Sequence, residues 1–236
     1  MALPKLNTPT YELVLPSTGE KIKYRPFLVK EQKLLMIAKE SEKYEDIANA
    51  VGNLVHSCTF GEINAETSAM FDIEYIFMKV RSKSIGEVVE ISVLCPDDEK
   101  TRVPIKINLE EVNVHMTADH TNEINITDDV KIFMRYPILK DMDNGFLDLD
   151  NAAKTFMIME KCVDSIVYGD KTFNRIDMTE KELTDFIDSM TSEQVEGVIE
   201  FFDTMPKIRH VVEVTNPNTK KKSEVVLEGL ENFLEF

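Results

Sequence analysis

The chain has 236 residues, of which 43% are hydrophobic and 30% charged, and its formal net charge is −16. Length and composition predict a globular protein with a sizeable core and exclude an intrinsically disordered chain. The negative charge, with no long basic stripe to offset it, argues against nucleic-acid binding. Residues 119–236 hold most of the acid, with 25 acidic and 13 basic side chains, which indicates either solvated helix faces or complementarity to a basic partner.

The number of cysteines and the N-terminal sequence indicate in which cellular compartment the protein is made. Cys58, Cys95 and Cys162 are odd in number and widely spaced, so no disulfide framework is expected and a reducing compartment fits. No apolar run after Met1 resembles a signal peptide, and no window approaches the length of a membrane span. The sequence therefore predicts a protein that is cytosolic where it is made and that has no membrane partner.

The first half of the chain predicts a hairpin, helices and a second hairpin. Alternation over 11–15 and 21–24, around a Pro-Ser-Thr-Gly turn, predicts the first hairpin. Apolar spacing predicts helical structure over 29–57, with Leu34, Leu35, Ile37 and Ala38 on one apolar face, and a further helix over 66–81. Alternation over 88–94 and 103–109 predicts the second hairpin.

The second half follows the same order. The polar stretch 113–122 is the predicted linker. Beyond it the pattern predicts a hairpin over 124–134, a helix from about 150 to 167, and two helices over 180–189 and 192–203. Capping boxes begin the last two helices, Thr179 with Glu182 and Thr191 with Gln194. Alternation over 211–227, around a lysine-rich turn, predicts the last hairpin.

Three landmarks match between the halves: Pro26 with Pro137, Gly61 with Gly169, and Pro96 with Pro217. Local identity is weak, and the alternative is two unrelated stretches that reuse common turn chemistry. We predict an α+β fold of two tandem, structurally similar halves, each hairpin–helices–hairpin. They are residues 1–112 and residues 123–236, with an extra helix and an apolar C-terminal tail in the second.

The residues that could bind a metal do not form a site. Cys95-Pro96-Asp97-Asp98 resembles a zinc-ribbon knuckle, but Asp98 stands where the second cysteine belongs. The matching loop, Asn216-Pro217-Asn218-Thr219, has no cysteine, so four thiolates cannot be assembled. The histidines show no recognised ligand spacing; they are His56, His115, His120 and His210. We predict no metal and no cofactor.

Catalytic motifs are missing from the sequence as well. It has no Gly-rich phosphate loop and no Gly-x-Ser-x-Gly elbow. Its carboxylate pairs, such as Asp97-Asp98 and Asp128-Asp129, lie in predicted turns, whereas acid–base catalysis needs carboxylates in contrasting, partly buried environments. The sequence predicts no catalytic residue and no enzyme, and a metal-dependent hydrolase is the alternative.

Candidate partner-binding residues lie in the last turn and in the C-terminal tail. The tail spacing predicts a short amphipathic helix that either docks in a groove of a partner or folds back on the core. The lysine-rich turn is either solvated or in contact with an acidic neighbour. The candidates are Leu227, Leu230, Phe233, Leu234, Phe236, Lys220, Lys221 and Lys222.

Four segments resemble a known family. They are LPKLNTP at 3–9, YELVLPSTG at 11–19, YRPFLVKEQK at 24–33 and LEGLENF at 227–233. Over nearly its whole length the chain resembles baseplate proteins of T-even-type contractile-tailed phages, whose members are hub subunits or hub assembly factors. Some relatives carry cysteine-bearing hairpins, of which only Cys95 remains here.

The resemblance implies a non-enzymatic structural or assembly protein of the baseplate hub, in a virion that is assembled in the host cytoplasm. It implies other hub or wedge proteins as partners, self-association as an open alternative, and neither nucleic acid nor membrane. A soluble assembly chaperone that is absent from the mature virion is the alternative function.

Overall fold

A computed structural model describes residues 6–41, 43–141 and 151–229. The described residues form six α-helices and small antiparallel sheets, which confirms the predicted α+β class. The chain divides into two compact units, one up to His115 and from Lys207 onward, the other from Met116 to Pro206. These are called the first unit and the second unit below.

This division differs from the predicted halves and linker. The predicted linker 113–122 contains a strand, β5 (Asn113–His115), which pairs antiparallel with β10 (Lys207–Thr215). The last hairpin therefore belongs to the first unit, and residues 123–236 do not form one compact body. Pairing across about 90 residues of sequence leaves no local signal in the polar stretch, which is why the sequence indicated a linker there.

The first unit begins with the predicted hairpin, in which β1 (Tyr11–Val14) pairs with β2 (Lys21–Tyr24). The predicted helical stretch 29–57 is two helices, α1 (Val29–Glu40) and α2 (Tyr44–Cys58). Ser41 ends α1: its hydroxyl donates to the Ala38 carbonyl at 2.7 Å and accepts the Lys43 N–H at 3.2 Å. Such local side-chain bonds offer the backbone an alternative to continuing the helix.

The central helix of the first unit is α3 (Met70–Ser84). It begins four residues later than predicted because Asn64 organises a turn before it, its side-chain oxygen accepting the Glu66 N–H at 3.0 Å. α3 is buried on every side: Ile73, Ile76 and Phe77 are fully inaccessible. Even Lys79 is buried, with its ammonium over the Tyr75 ring and donating to the Glu110 carbonyl at 3.0 Å.

Two long hairpins complete the first unit and confirm the predicted pair. In the first, β3 (Val88–Leu94) pairs with β4 (Arg102–Asn108). In the second, β10 pairs with β11 (Lys222–Glu228) on one side and with β5 on the other.

The second unit is built on a four-stranded antiparallel sheet, whose strands in spatial order are β6 (Glu123–Asn125), β7 (Val130–Met134), β8 (Val163–Tyr168) and β9 (Lys171–Asn174). The predicted hairpin is confirmed as β6 and β7, whereas the predicted helix 150–167 ends at Cys162 and continues directly as β8. Val163, Ile166, Val167 and Tyr168 favour a pleated strand, and pairing with β7 selects that state. The helix that precedes β8 is α4 (Asn151–Cys162).

Strand β9 was not predicted from the sequence. Gly169 and Asp170 connect it to β8 in a two-residue turn, and Gly169 has φ of +57°, a conformation that such turns require and that glycine adopts without strain.

Two helices cover this sheet, α5 (Glu180–Asp188) and α6 (Ser192–Thr204), and both capping boxes are confirmed. The Thr179 hydroxyl accepts the Glu182 N–H at 3.2 Å, and the Thr191 hydroxyl accepts the Gln194 N–H at 3.4 Å. The core between sheet and helices comprises Ile124, Ile132, Met134, Ile158, Met159, Cys162, Val163, Ile166, Leu183, Ile187, Val198 and Phe201.

One hydrogen-bonded arrangement, the arginine clasp, occurs in both units. In the first, the Arg25 N–H donates to the Cys58 carbonyl at 2.9 Å and the guanidinium donates to Glu31 at 2.9 Å. In the second, the Arg135 N–H donates to the Cys162 carbonyl at 2.8 Å and the guanidinium donates to both oxygens of Asp141, at 2.7 and 2.9 Å.

Each clasp ties the first hairpin of its unit to the end of a helix, beside the matched landmarks Pro26 and Pro137. Each acid also accepts the N–H three residues before it, from Leu28 at 2.7 Å and from Ile138 at 2.9 Å. The similarity of the two halves beyond these clasps stays a prediction.

Candidate protein-interaction surfaces

The cysteines are structural groups. All three are free and fully inaccessible. Burial raises the pKa of Cys58 to about 11 and that of Cys162 to about 12. Burial and the nearby Asp97 and Asp98 also raise the pKa of Cys95. The thiols are therefore protonated at neutral pH, whereas nucleophilic attack and metal binding need the thiolate.

The histidines also have local structural contacts. His56 lies with Nδ1 2.8 Å from the Ile63 carbonyl oxygen. His120 stacks on the Tyr136 ring, 5.6 Å between centroids, and burial lowers its pKa, so that it is a neutral aromatic residue of the second unit. Within the ranges that the structure covers, no three His, Cys, Asp or Glu side chains are grouped to hold a metal ion.

The loop that resembles a zinc knuckle contacts the tip of the last hairpin. The Asp97 carboxylate accepts the Asn216 amide N–H at 3.0 Å and the Thr219 hydroxyl. The Asn218 amide donates to the Thr101 hydroxyl at 3.0 Å. We call this set the hairpin-tip contact. Direct hydrogen bonds thus join the two loops that the sequence matched through Pro96 and Pro217.

The hairpin-tip contact should depend on pH through Asp97. Its bonds from Thr219 and Asn216 lower the pKa of Asp97 below the usual 3.8. The stabilisation is therefore complete above about pH 4 and is lost as the pH falls through the lower folded-state pKa. We expect Asp97→Ala to speed amide hydrogen exchange at residues 216–221 relative to the wild type, with both proteins measured at pH 7.

Lys100→Ala is the control for this experiment, because the Lys100 side chain is exposed in the same turn and only its backbone N–H bonds to Asp98. Unchanged exchange at residues 216–221 in the Asp97 variant would show that the contact contributes nothing to the order of the tip.

The predicted partner-binding residues fall into three groups. Leu227 lies on β11, is 4% exposed and belongs to the core. The lysines Lys220, Lys221 and Lys222 are exposed, and the Lys222 ammonium lies 2.7 Å from Glu213. Leu230, Phe233, Leu234 and Phe236 lie outside the described residues. A role of these side chains in partner binding stays a prediction.

An exposed apolar surface on α1 was missed in the sequence. Four large apolar residues of this 12-residue helix are exposed, each to between 56% and 66%. Leu35 and Ala38 face the core, but Leu34 and Ile37, which the sequence placed on the same apolar face, are exposed. Exposed apolar side chains on one helix form a candidate contact surface, which the exposed Lys30 interrupts. This surface, the α1 face, comprises Val29, Leu34, Met36 and Ile37.

An apolar groove lies in the second unit between the sheet and α5. Its volume is about 350 Å³. Tyr168 and Phe173 are half exposed there, at 57% and 45%. The two charged lining residues, Asp177 and Glu182, are both acidic and exposed. The remaining lining residues are Val130, Ile166, Met178, Leu183 and Phe186.

None of the described helices combines the length and apolar character needed to cross a bilayer. A protein-family model described as T4 bacteriophage base plate protein matches residues 8–235, nearly the whole chain. Neither the curated proteins nor the solved structures contain a match.

Proposed function

The chain belongs to the T4 bacteriophage base plate protein family, and from that premise we propose that it is a non-enzymatic protein of the baseplate hub. The family supports a structural or assembly role in the phage tail baseplate. The finer proposal is that it joins hub or wedge proteins through protein–protein contacts. The observation that carries it is the α1 face, where four large apolar side chains are exposed on a single helix.

The chemistry of the buried thiols and of two hydrogen-bonded carboxylates supports a role without catalysis. The buried thiols hold their protons, since burial raises the pKa of each. The carboxylates of Glu31 and Asp97 have lowered pKa values and are engaged in hydrogen bonds that hold the fold. A general acid or nucleophile needs a pKa close to the working pH, and these groups are shifted away from it.

The alternative is a soluble assembly chaperone that leaves before the virion is complete, because an exposed apolar surface serves either role. Quantitative mass spectrometry of purified particles separates the two. A hub subunit gives peptides in fixed proportion to other baseplate proteins. If tail assembly requires the chain but purified particles lack it, the chaperone role is favoured.

The C-terminal tail tests how partners are bound. We expect removal of residues 230–236 to abolish co-purification with baseplate partners while the thermal unfolding of the chain is unchanged. The cut is placed after Gly229, whose N–H donates to the Ile208 carbonyl at 3.2 Å, since Leu227 belongs to the core. Replacing Glu231 and Glu235 with glutamine is the control, because it keeps the apolar tail residues. A truncated chain that still co-purifies would reject the tail as a docking element.

A further inference from the structure

We propose that the apolar groove of the second unit binds an extended segment of a partner protein in which apolar side chains alternate with lysine or arginine. The inference rests on the proposed function, because it names the chemistry of one contact that a hub protein makes. It concerns a different surface from the α1 face and from the C-terminal tail.

The sheet gives the groove one continuous apolar wall. Ile166 and Phe173 are opposite each other in the β8–β9 pairing, and Val130 and Tyr168 are opposite each other in the β7–β8 pairing. Opposed residues share a face of the sheet, and so do residues two apart on one strand. The four side chains therefore line one side, while Leu183 and Phe186 of α5 line the other.

The open side of the groove is an edge strand. β9 is last in the strand order, and within the described part of the chain only β8 pairs with it. All four residues of β9 are exposed. The outer backbone groups of an edge strand can bond an added strand, whose alternate side chains then point to one face of the sheet. A segment that extends β9 would place every second side chain on the groove face, beside Phe173.

Charge decides what kind of segment fits. The second unit has 20 acidic and 8 basic residues. Of the groove's acids, Glu182 is held by two hydrogen bonds from Thr179, which lower its pKa and keep it ionised at neutral pH. Lys171, opposite Tyr168, lies on the groove face and is the one basic residue of β9, while the Arg175 guanidinium is paired with Glu180. The net acidic charge of the unit, which Lys171 offsets only in part, attracts a basic segment and repels an acidic one.

The proposal is tested on the full-length, isotope-labelled chain with two synthetic peptides. One is Lys-Val-Lys-Phe-Lys-Val-Lys, and the other has glutamate at every lysine position. We expect the lysine peptide to shift the amide NMR signals of β9 and α5, and to bind at least about tenfold more tightly than the glutamate peptide at low salt. Equal affinities, or shifts confined to other elements, would overturn the proposal.

A pair of phenylalanine variants gives a matched control. Phe173 is 45% exposed in the groove, and Phe156 is 46% exposed on α4 and does not line the groove. We expect Phe173→Ser to weaken the lysine peptide about tenfold and Phe156→Ser to leave its affinity unchanged. Tyr168→Ser, at a residue 57% exposed, repeats the test if Phe173→Ser fails to fold. Unchanged affinity in the groove variant would overturn the proposal.

Two other occupants would also overturn it. Groove signals that shift when the chain is diluted without peptide would show that a second copy fills the groove. Nuclear Overhauser contacts from residues 142–150 to Phe173 in the free protein would show that the chain fills its own groove. If the chain is present in purified baseplates but does not bind the peptide, only the groove proposal is rejected. If the chain binds the peptide but has no part in baseplates, only the proposed function is rejected.

Discussion

Replacing Arg25 with methionine should lower the free energy of unfolding of the first unit by about 3 kcal/mol, since breaking a buried ion pair typically costs about 3–5 kcal/mol. The Arg25 and Glu31 side chains are only 11% and 5% exposed. Without the guanidinium, the Glu31 carboxylate stays buried and keeps the Leu28 N–H and its contact with Lys30. These remaining partners place the loss at the lower end of that range. Urea unfolding followed by circular dichroism measures it.

Lys222→Met is the matched control, because Lys222 and Glu213 are 2.7 Å apart but 68% and 62% exposed. A solvated pair of this kind contributes much less to stability than a buried one, because water and salt screen it. Equal losses in the two variants would contradict the structural role of the clasp.

The same variant should change how stability depends on pH. Burial pushes the pKa of Glu31 upward, but its bonds from Arg25 and Leu28 outweigh burial and set it below 4.5. In the wild type this stabilisation is therefore complete above about pH 4.5 and is lost as the pH falls through the folded-state pKa. In Arg25→Met burial dominates, so we expect the fall in stability between pH 7 and pH 4 to be smaller than in the wild type.

Phe77→Ala should be comparably damaging, with a loss of about 3–5 kcal/mol, because it removes a ring from the centre of a packed core. Phe77 is 0% exposed on α3, between other inaccessible side chains such as Ile73 and Ile76. A loss of this size is a large fraction of the stability of an ordinary domain, about 5–15 kcal/mol. The urea midpoint and the protection of α3 amides from hydrogen exchange should fall together.

Met36→Ala is the control for this truncation, because Met36 is 58% exposed on the α1 face. We expect its unfolding midpoint to match the wild type within experimental error and its binding to baseplate partners to weaken. If Met36→Ala destabilised the chain as much as Phe77→Ala, the α1 face would be part of the core and unavailable to partners.

The sequence predicted the elements whose signals are local. A period of two and a tight turn were enough for the hairpin over 11–24 and for the one that begins at Val88. Thr179 and Thr191 placed the starts of α5 and α6, since a capping box is contained in four residues. Both helices begin where those residues indicate.

The errors occur where distant pairing decides the structure. Residues 163–168 continue a helical apolar pattern, and only their partners on β7 make them a strand. The pairing of β5 with residues 207–209 likewise has no counterpart in the local pattern. Because of this second pairing, the last hairpin belongs to the first unit, whereas the sequence assigned it to the second half.

The interaction surfaces were harder to predict than the elements. Exposure of Leu34 and Ile37 depends on what packs against α1, and helical periodicity alone assigns them to a core-facing stripe. The groove draws its lining from three separate stretches, around Val130, from 166 to 173, and from 177 to 186. Its position follows from strand register, which a single sequence does not reveal.

Electron microscopy of particles from cells infected with phage that lacks this chain tests the central claim, a role in the baseplate hub through protein contacts, most directly. We predict that heads form normally while complete baseplates are missing, and that the wild-type chain supplied in trans restores them. Complete baseplates and normal tails in its absence would contradict the account.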